Sequence, residues 1–221
     1  MGQKIRPDSL RLGIVQTWKA HWFAKRDFKK QLEEDGLIRK IIKEKIGNAG
    51  IVRVDIERNA NNNYRITIKA ARPGLVIGHG GKGIETLTKQ LDSSLKRLMK
   101  KRGDVASAFS LSLNIEELRR SETSAVYIAQ LIAQDLEKRL PSRRTMKRHL
   151  ELAMQNRDVL GAKIKLSGRL DGAEISRRDW LAKGKLPLQT LRANIDYGEA
   201  TAFNTYGTVG IKVWIYKGEV L

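Results

Sequence analysis

The chain has 221 residues, a hydrophobic content of 41%, and 43 Lys and Arg against 24 Asp and Glu, for a formal net charge of +19. That length holds one large domain or two small ones, the apolar content excludes a wholly disordered chain, and the absence of cysteine excludes disulfides, thiolate metal sites and cysteine nucleophiles. The cationic excess repels itself unless a polyanion binds, and its spread over every quarter of the chain favours nucleic acid over a membrane, which would be met by one amphipathic helix or a charged tail.

Residues 1–27 are basic and carry Trp18, Trp22 and Phe23. They read as an extension that docks on a partner or as an arm packed on its own chain, and the residues leave both open. The N-terminus lacks the apolar stretch of a signal peptide, and no apolar run reaches transmembrane length, so a cytoplasmic protein without a membrane partner is expected. From Phe28 to Ile46, apolar residues recur at three- and four-residue spacing, which predicts a helix with Gly36 as a candidate point of division and Asn48 and Gly50 as stop signals. Val52, Val54 and Ile56 alternate with polar residues, as do Tyr64, Ile66, Ile68 and Ala70. This predicts two half-buried strands joined by the Asn-rich turn between Asn59 and Asn63. Pro73 ends the second strand, and Leu75-Val76-Ile77 leads into Gly78-His79-Gly80-Gly81. A helix follows with Ile84, Leu87, Leu91, Leu95 and Leu98 on one face, then a strand with Phe109, Leu111, Leu113 and Ile115.

The second half opens with a helix from Ser121 and Glu122 to Leu140, ended by Pro141. Ser142 is the expected N-cap of the next helix, which runs to about Arg157. Three alternating strands are predicted at residues 162–170, 191–197 and 209–216, with a long basic loop between the first two. The boundary between the halves falls near residue 117.

Three glycines in the four residues Gly78 to Gly81 let the backbone turn sharply and approach a phosphate chain, while Val76, Ile77 and Ile84 are expected to anchor the flanking helices to the sheet. Two other phosphate loops are excluded. Lys82 is followed by Gly83 rather than Ser or Thr, as a Walker loop needs, and the glycine register does not fit a dinucleotide fingerprint. A G-x-x-G loop between two helices, behind two strands and ahead of a third, is the arrangement of a KH module, here in type II order.

Several further segments carry a resemblance. They are Met1-Gly2-Gln3-Lys4, Arg11-Leu12-Gly13-Ile14, Ala71-Arg72-Pro73-Gly74, Arg143-Arg144-Thr145-Met146-Lys147-Arg148, Gly172-Ala173-Glu174-Ile175, Ile195-Asp196-Tyr197 and Lys212-Val213-Trp214-Ile215. Spread in order over nearly the whole chain, they resemble the bacterial-type ribosomal protein S-three family of the small subunit. The resemblance implies an α+β fold: an N-terminal type II KH domain (α-β-β-α-α-β), then a small α/β domain with two helices on a sheet of three or more strands. The expected division is residues 1–37 as basic extension and first helix, 38–116 as the KH domain and 117–221 as the C-terminal domain. The resemblance further implies a structural constituent of the subunit head, in the cytoplasmic ribosome. Its implied partners are ribosomal RNA, mRNA and the neighbouring proteins S-ten and S-fourteen, with no cofactor and no small-molecule substrate.

Family loops often carry lysines at the tip. With His79 and Gly80 there, Gly78 to Gly81 offer mainly backbone, and Lys82 or Arg72 is expected to supply the phosphate pairing. From Lys138 to His149 the chain has six Lys or Arg and no acid. On a helix, Arg144, Lys147 and Arg148 fall opposite Met146, Leu150 and Ala153, and Arg143 projects from the first turn. In the resembled family, residues matching Arg143, Arg144 and Lys147 line the path along which mRNA enters and assist its unwinding, and Arg148 is placed with them. Arg177, Arg178, Lys183 and Lys185, with Trp180, are further candidate ribosomal RNA contacts.

His21, His79 and His149 lie on separate elements without metal-ligand spacing, and no catalytic signature is present, so no enzyme is expected. The alternatives are a nuclease or lyase acting on damaged DNA, which borohydride trapping on abasic DNA would reveal, and a free-standing KH regulator of mRNA, which would be found off the ribosome.

Overall fold

The computed structural model describes residues 5–24, 27–59, 63–103, 109–118 and 120–220. Residues 1–4 of the N-terminal motif and residues 60–62 of the Asn-rich turn lie outside them. The chain forms two units, one of residues 18–119 and one of residues 1–17 with 120–221. The span 1–37 expected as extension and first helix is thereby divided after Thr17. The arm packs on its own chain, and its two parts go to different units.

In the first of these units, helix α2 (Phe28–Ile46) is followed by strands β2 (Ile51–Arg58) and β3 (Asn63–Ala70), helix α3 (Pro73–Ile77), helix α4 (Lys82–Arg102) and strand β4 (Ser110–Glu117). This is the type II KH order. The arm adds a short strand β1 (Ala20–His21), so the sheet runs β1-β2-β3-β4, antiparallel between β2 and β3 and parallel at its other two pairings. One face carries Ile56, Ile66 and Ile68, which pack with Ile38 and Ile42 of α2 and Leu87, Leu91 and Leu95 of α4.

Register places Arg58 opposite Tyr64 on that same apolar face, at the end of the strands. Its guanidinium, 7% exposed, pairs with Glu34 at 2.7 Å and with Asp35. Glu34 also accepts from Tyr64 Oη at 2.9 Å and Arg102 Nη1 at 3.0 Å, and Asp35 accepts from Trp22 Nε1 of the arm at 2.8 Å. Burial, with Glu34 next in weight, pushes the Tyr64 hydroxyl well above its usual pKa. The cluster holds the turn just before Gly36 and the core residue Ile38 the turn after it, and α2 runs through that glycine unbroken rather than dividing. The helix-interior cost of a glycine, about 1 kcal/mol, is smaller than what these ion pairs and Ile38 hold in place.

The other unit contains a short helix α1 (Pro7–Leu10), α5 (Ala125–Glu137), α6 (Ser142–Gln155), β5 (Gly161–Gly168), β6 (Arg177–Gly184), β7 (Ala193–Asn204) and β8 (Gly207–Glu219). The sheet is antiparallel in the order β6-β5-β8-β7. Helices α5 and α6 cover one face, over Ala162, Ile164, Leu166, Ile211 and Val213. Gly198 is required for that approach, because a Cβ there would lie 2.4 Å from the Ala125 backbone.

Both helix starts differ from expectation. Ser121–Thr123 is a 3-10 turn, and α5 begins at Ala125, whose N–H donates to Asp196 of β7 at 2.9 Å. Ser142 is the first residue of α6 rather than its N-cap. It is buried, and its N–H and hydroxyl both donate to Asp171, at 2.9 and 2.8 Å. Each N-terminus thus receives a carboxylate from a distant segment, which satisfies free amides and complements the helix dipole.

Residues 5–16 are tied to this unit by Arg11, which is fully buried. Its guanidinium donates to the carbonyls of Pro7, Leu188, Thr190 and Ala193, all within 2.7–2.9 Å. Removing it takes a donor from all four, strands the buried carbonyls of Pro7 and Ala193, and leaves Thr190 only the Ala193 N–H, each buried loss costing about 1 kcal/mol or more. Arg11→Met is therefore expected to lower the stability of this unit by about 2 kcal/mol or more, read as a drop in the urea midpoint followed by tryptophan fluorescence. By contrast, Gly36→Ala, where a Cβ meets nothing within 4 Å, should raise the midpoint of the KH unit by the equivalent of about 0.5–1 kcal/mol.

Candidate nucleic-acid interface

Helix α3 ends at Gly78, which adopts φ +69°, ψ −179°. A 3-10 turn over His79–Gly81 follows, with Gly80 at φ +61° and Gly81 at φ +79°, and α4 begins at Lys82. Gly80 and Gly81 have open space where a Cβ would be. The tight point lies instead at Gly83, where a Cβ would come within 2.5 Å of the Val76 carbonyl. The left-handed residues thus shape an exposed backbone hairpin, and Gly83 lets α4 start directly against the end of α3.

Arg72, His79 and Lys82 are exposed around this loop. Val76 is buried against Ala49 and Ala70 and anchors α3 as expected. Ile77 does not, since it is 38% exposed beside Leu75 at 61%, so α3 presents an apolar edge to solvent next to the loop. Glu85 sits in the first turn of α4 and opposes anion binding there. Lys82 and Arg72 therefore carry the positive charge of this site.

On α6, Thr145, Met146, His149 and Leu150 are buried, and Arg143, Arg144, Lys147 and Arg148 are exposed, as the 3.6-residue period predicts. Arg148 differs from the other three. Asp135 of α5 lies 2.5 Å from its guanidinium and 2.6 Å from His149 Nε2. Glu151 stands one turn after Lys147 on α6 but, among the described residues, pairs with none of these cations, whereas Asp135 reaches Arg148 from the neighbouring helix. Among the described residues, Arg143, Arg144 and Lys147 form no ion pair.

The expected basic loop contains the edge strand β6, paired with β5 over its whole length. Arg177, Arg178 and Lys183 lie on it, Lys185 follows it, and all four are exposed. They do not form one cluster. Register puts Arg177 and Lys183 on the side facing α6 and Arg178, with Trp180, on the opposite side. Three lysines that the sequence reading did not single out, Lys163, Lys165 and Lys212, stand on that opposite side. Their signal was the polar half of the alternation in β5 and β8, which is lysine wherever it is charged. Among the described residues, no group of His, Cys, Asp and Glu is arranged to hold a metal ion, and no helix is long and apolar enough to cross a membrane.

Residues 37–123 match the KH domain family, and residues 132–215 match the family described as ribosomal protein S3, C-terminal domain. All of this chain aligns with the small ribosomal subunit protein uS3 of Desulfitobacterium hafniense at 46% identity, and with that of Carboxydothermus hydrogenoformans at 47%, covering 94% of each. The protein of the same description from Paracidovorax citrulli is 48% identical and 71% covered.

The loop geometry makes Gly83 the position least able to accept a side chain. Gly83→Ala should force α3 and α4 apart and cost about 1–3 kcal/mol. Faster amide hydrogen exchange over residues 76–84, with exchange on α2 unchanged, is the expected outcome, and unaltered exchange at the loop would contradict the reading.

Proposed function

The chain belongs to the ribosomal protein S3 family and is a structural constituent of the small subunit in the cytoplasmic ribosome, and from that premise we propose that α6 guides mRNA along the path by which it enters the subunit and helps to open its hairpins. The observation that carries this reading is the exposed set of Arg143, Arg144 and Lys147 with no carboxylate partner among the described residues. Cations already neutralised by neighbouring acids offer little to a phosphate, whereas unpaired ones on a rigid helix attract a strand at no cost in broken ion pairs. Arg143 and Lys147 are four residues apart and Arg144 and Lys147 three, so the three stand together on one face about 6 Å from one another. Arg148, shared with Asp135, adds to the field more than to direct contact.

Ribosomal RNA is the partner of the remaining surface in this reading. The backbone of Gly78 to Gly81 admits a phosphate chain with Lys82 and Arg72 beside it, and Arg177, Arg178, Lys183 and Lys185 supply further phosphate contacts. The neighbouring proteins S-ten and S-fourteen complete the set of partners. No catalytic role is part of the proposal.

Ribosomes carrying Arg143→Ala, Arg144→Ala and Lys147→Ala together should translate unstructured messages at the normal rate and slow several-fold on messages with a stable downstream hairpin. Single-turnover elongation on a matched message pair measures this, and equal rates on both messages overturn the proposal.

A further inference from the structure

The sheet of the unit formed by residues 1–17 and 120–221 has a second face that α5 and α6 leave uncovered. Ala162, Ile164 and Leu166 of β5 are buried under α5 and α6, so Lys163 and Lys165 point to the opposite face. There, β8 places Trp214 opposite Lys163 and Lys212 opposite Lys165, and β6 places Trp180 opposite Lys165 and Arg178 opposite Ser167. One end of this face is closed. Leu186 and Leu188 pack on Ile195, Tyr216 and Trp214, and Arg6 of the arm lies over the Tyr197 ring and pairs with Glu199 at 3.0 Å. Burial and that carboxylate push the Tyr197 hydroxyl up to about 12.

The other end is open. Glu199 of β7 stands opposite Lys212 but is taken by Arg6 and by the Tyr197 hydroxyl, and Asp179 alternates to the α6 side. Among the described residues, none of Lys163, Lys165, Arg178 and Lys212 forms an ion pair. The Lys163 ammonium lies 4.7 Å from the Trp180 ring centroid and 5.9 Å from that of Trp214, which orients the Trp180 indole while the residue stays 56% exposed.

We propose that this open half-face is a platform for single-stranded RNA, with an unpaired base stacked on Trp180 and the flanking phosphates held by Lys165, Lys212 and Arg178. Neighbouring strands stand about 4.8 Å apart and same-face residues about 6.8 Å apart, so the four side chains lie within the reach of two or three nucleotides. Sheet faces that bind unpaired RNA combine exposed aromatic rings with such cations. A protein docked here would have to bring carboxylates to four cations around an indole, whereas one RNA strand supplies both the stacking face and the negative charge. The proposal rests on the reading of the chain as an RNA-binding ribosomal constituent, and it adds a site separate from α6.

The test titrates the full chain with a short fluorescein-labelled oligoribonucleotide and with an abasic backbone of the same length. The wild type should prefer the base-bearing strand roughly tenfold, the effect of one stacked base. Trp180→Ala should abolish that preference and Trp180→Phe should keep most of it. Should Trp180→Ala not fold, Trp180→Leu, which keeps the apolar bulk without a stacking face, reads the same loss. Lys165→Ala with Lys212→Ala should reduce the slope of log affinity against log salt by about 1.4, the share of two phosphates on a single strand. Replacing Arg143, Arg144 and Lys147 should weaken both strands alike and leave the preference intact, which keeps a failure at α6 distinct from a failure here. An unchanged preference in Trp180→Ala overturns the proposal. So does a Trp180→Ala chain that binds RNA normally but no longer joins the small subunit, since the face would then meet a protein.

Discussion

With 24 carboxylates for 43 basic side chains, this protein cannot neutralise its own surface, and the places where it uses those carboxylates decide the rest of the structure. The inward ones work at junctions. Glu34 and Asp35 receive Arg58, Arg102, Tyr64 and Trp22 between α2, the sheet and the arm. Asp135 joins α5 to α6 through Arg148 and His149, and Asp171 and Asp196 satisfy the starts of α6 and α5. A buried charge without a partner costs several kcal/mol, which commits Glu34 and Asp35, and the more open Asp135, Asp171 and Asp196 are held by the junctions they complete. What remains outside is a surface of cations on α6, around the glycine loop and on the sheet face that α5 and α6 leave uncovered. Their mutual repulsion is relieved when phosphates displace the small counterions, which ties the folded chain energetically to its polyanion.

The two kinds of RNA-facing surface work differently. The glycine loop offers backbone: left-handed glycines, an exposed turn ahead of α4 and little side-chain charge. Helix α6 offers charge without an intimate backbone approach, since its first turn is closed by Asp171. A site of the first kind selects by shape and one of the second attracts at a distance, so a strand can be drawn in by α6 without being gripped by it. Arg11 has the opposite role for a cation: wholly buried, it satisfies four carbonyls and ties the start of the chain to segments near residue 190. Contacts so distant in sequence form late, because the loop between them must close first.

Much of this was legible in the residues. Period-two alternation located β2, β3, β4, β5, β7 and β8, and helical spacing located α2, α4, α5 and α6 and set the exposed side of α6 correctly, because those periods are local and follow from backbone geometry. Glycine spacing between two helices identified the KH order. What the sequence alone determined is therefore which segments form which elements, and which side of α6 its cations take.

Only the tertiary structure decided the pairings that depend on distant partners. Strand β6 was read as a loop because its inward positions, Arg177, Asp179, Leu181 and Lys183, hold one apolar residue, and its pairing is imposed by β5. Arg58 falls in the apolar phase of its strand and lies on the core face, and only the partners Glu34 and Asp35, from a distant helix, make its burial tolerable. Gly36 stays helical because those same pairs hold the turn before it and buried Ile38 the turn after it. Ser142 is a first helical residue because Asp171 reaches it from 29 positions away. Arg148 gains an acid from α5 and Arg11 its carbonyls from around residue 190, and neither partner is visible in a local window. The period of a segment is a property of the segment, whereas the partner of a buried charge is a property of the whole chain.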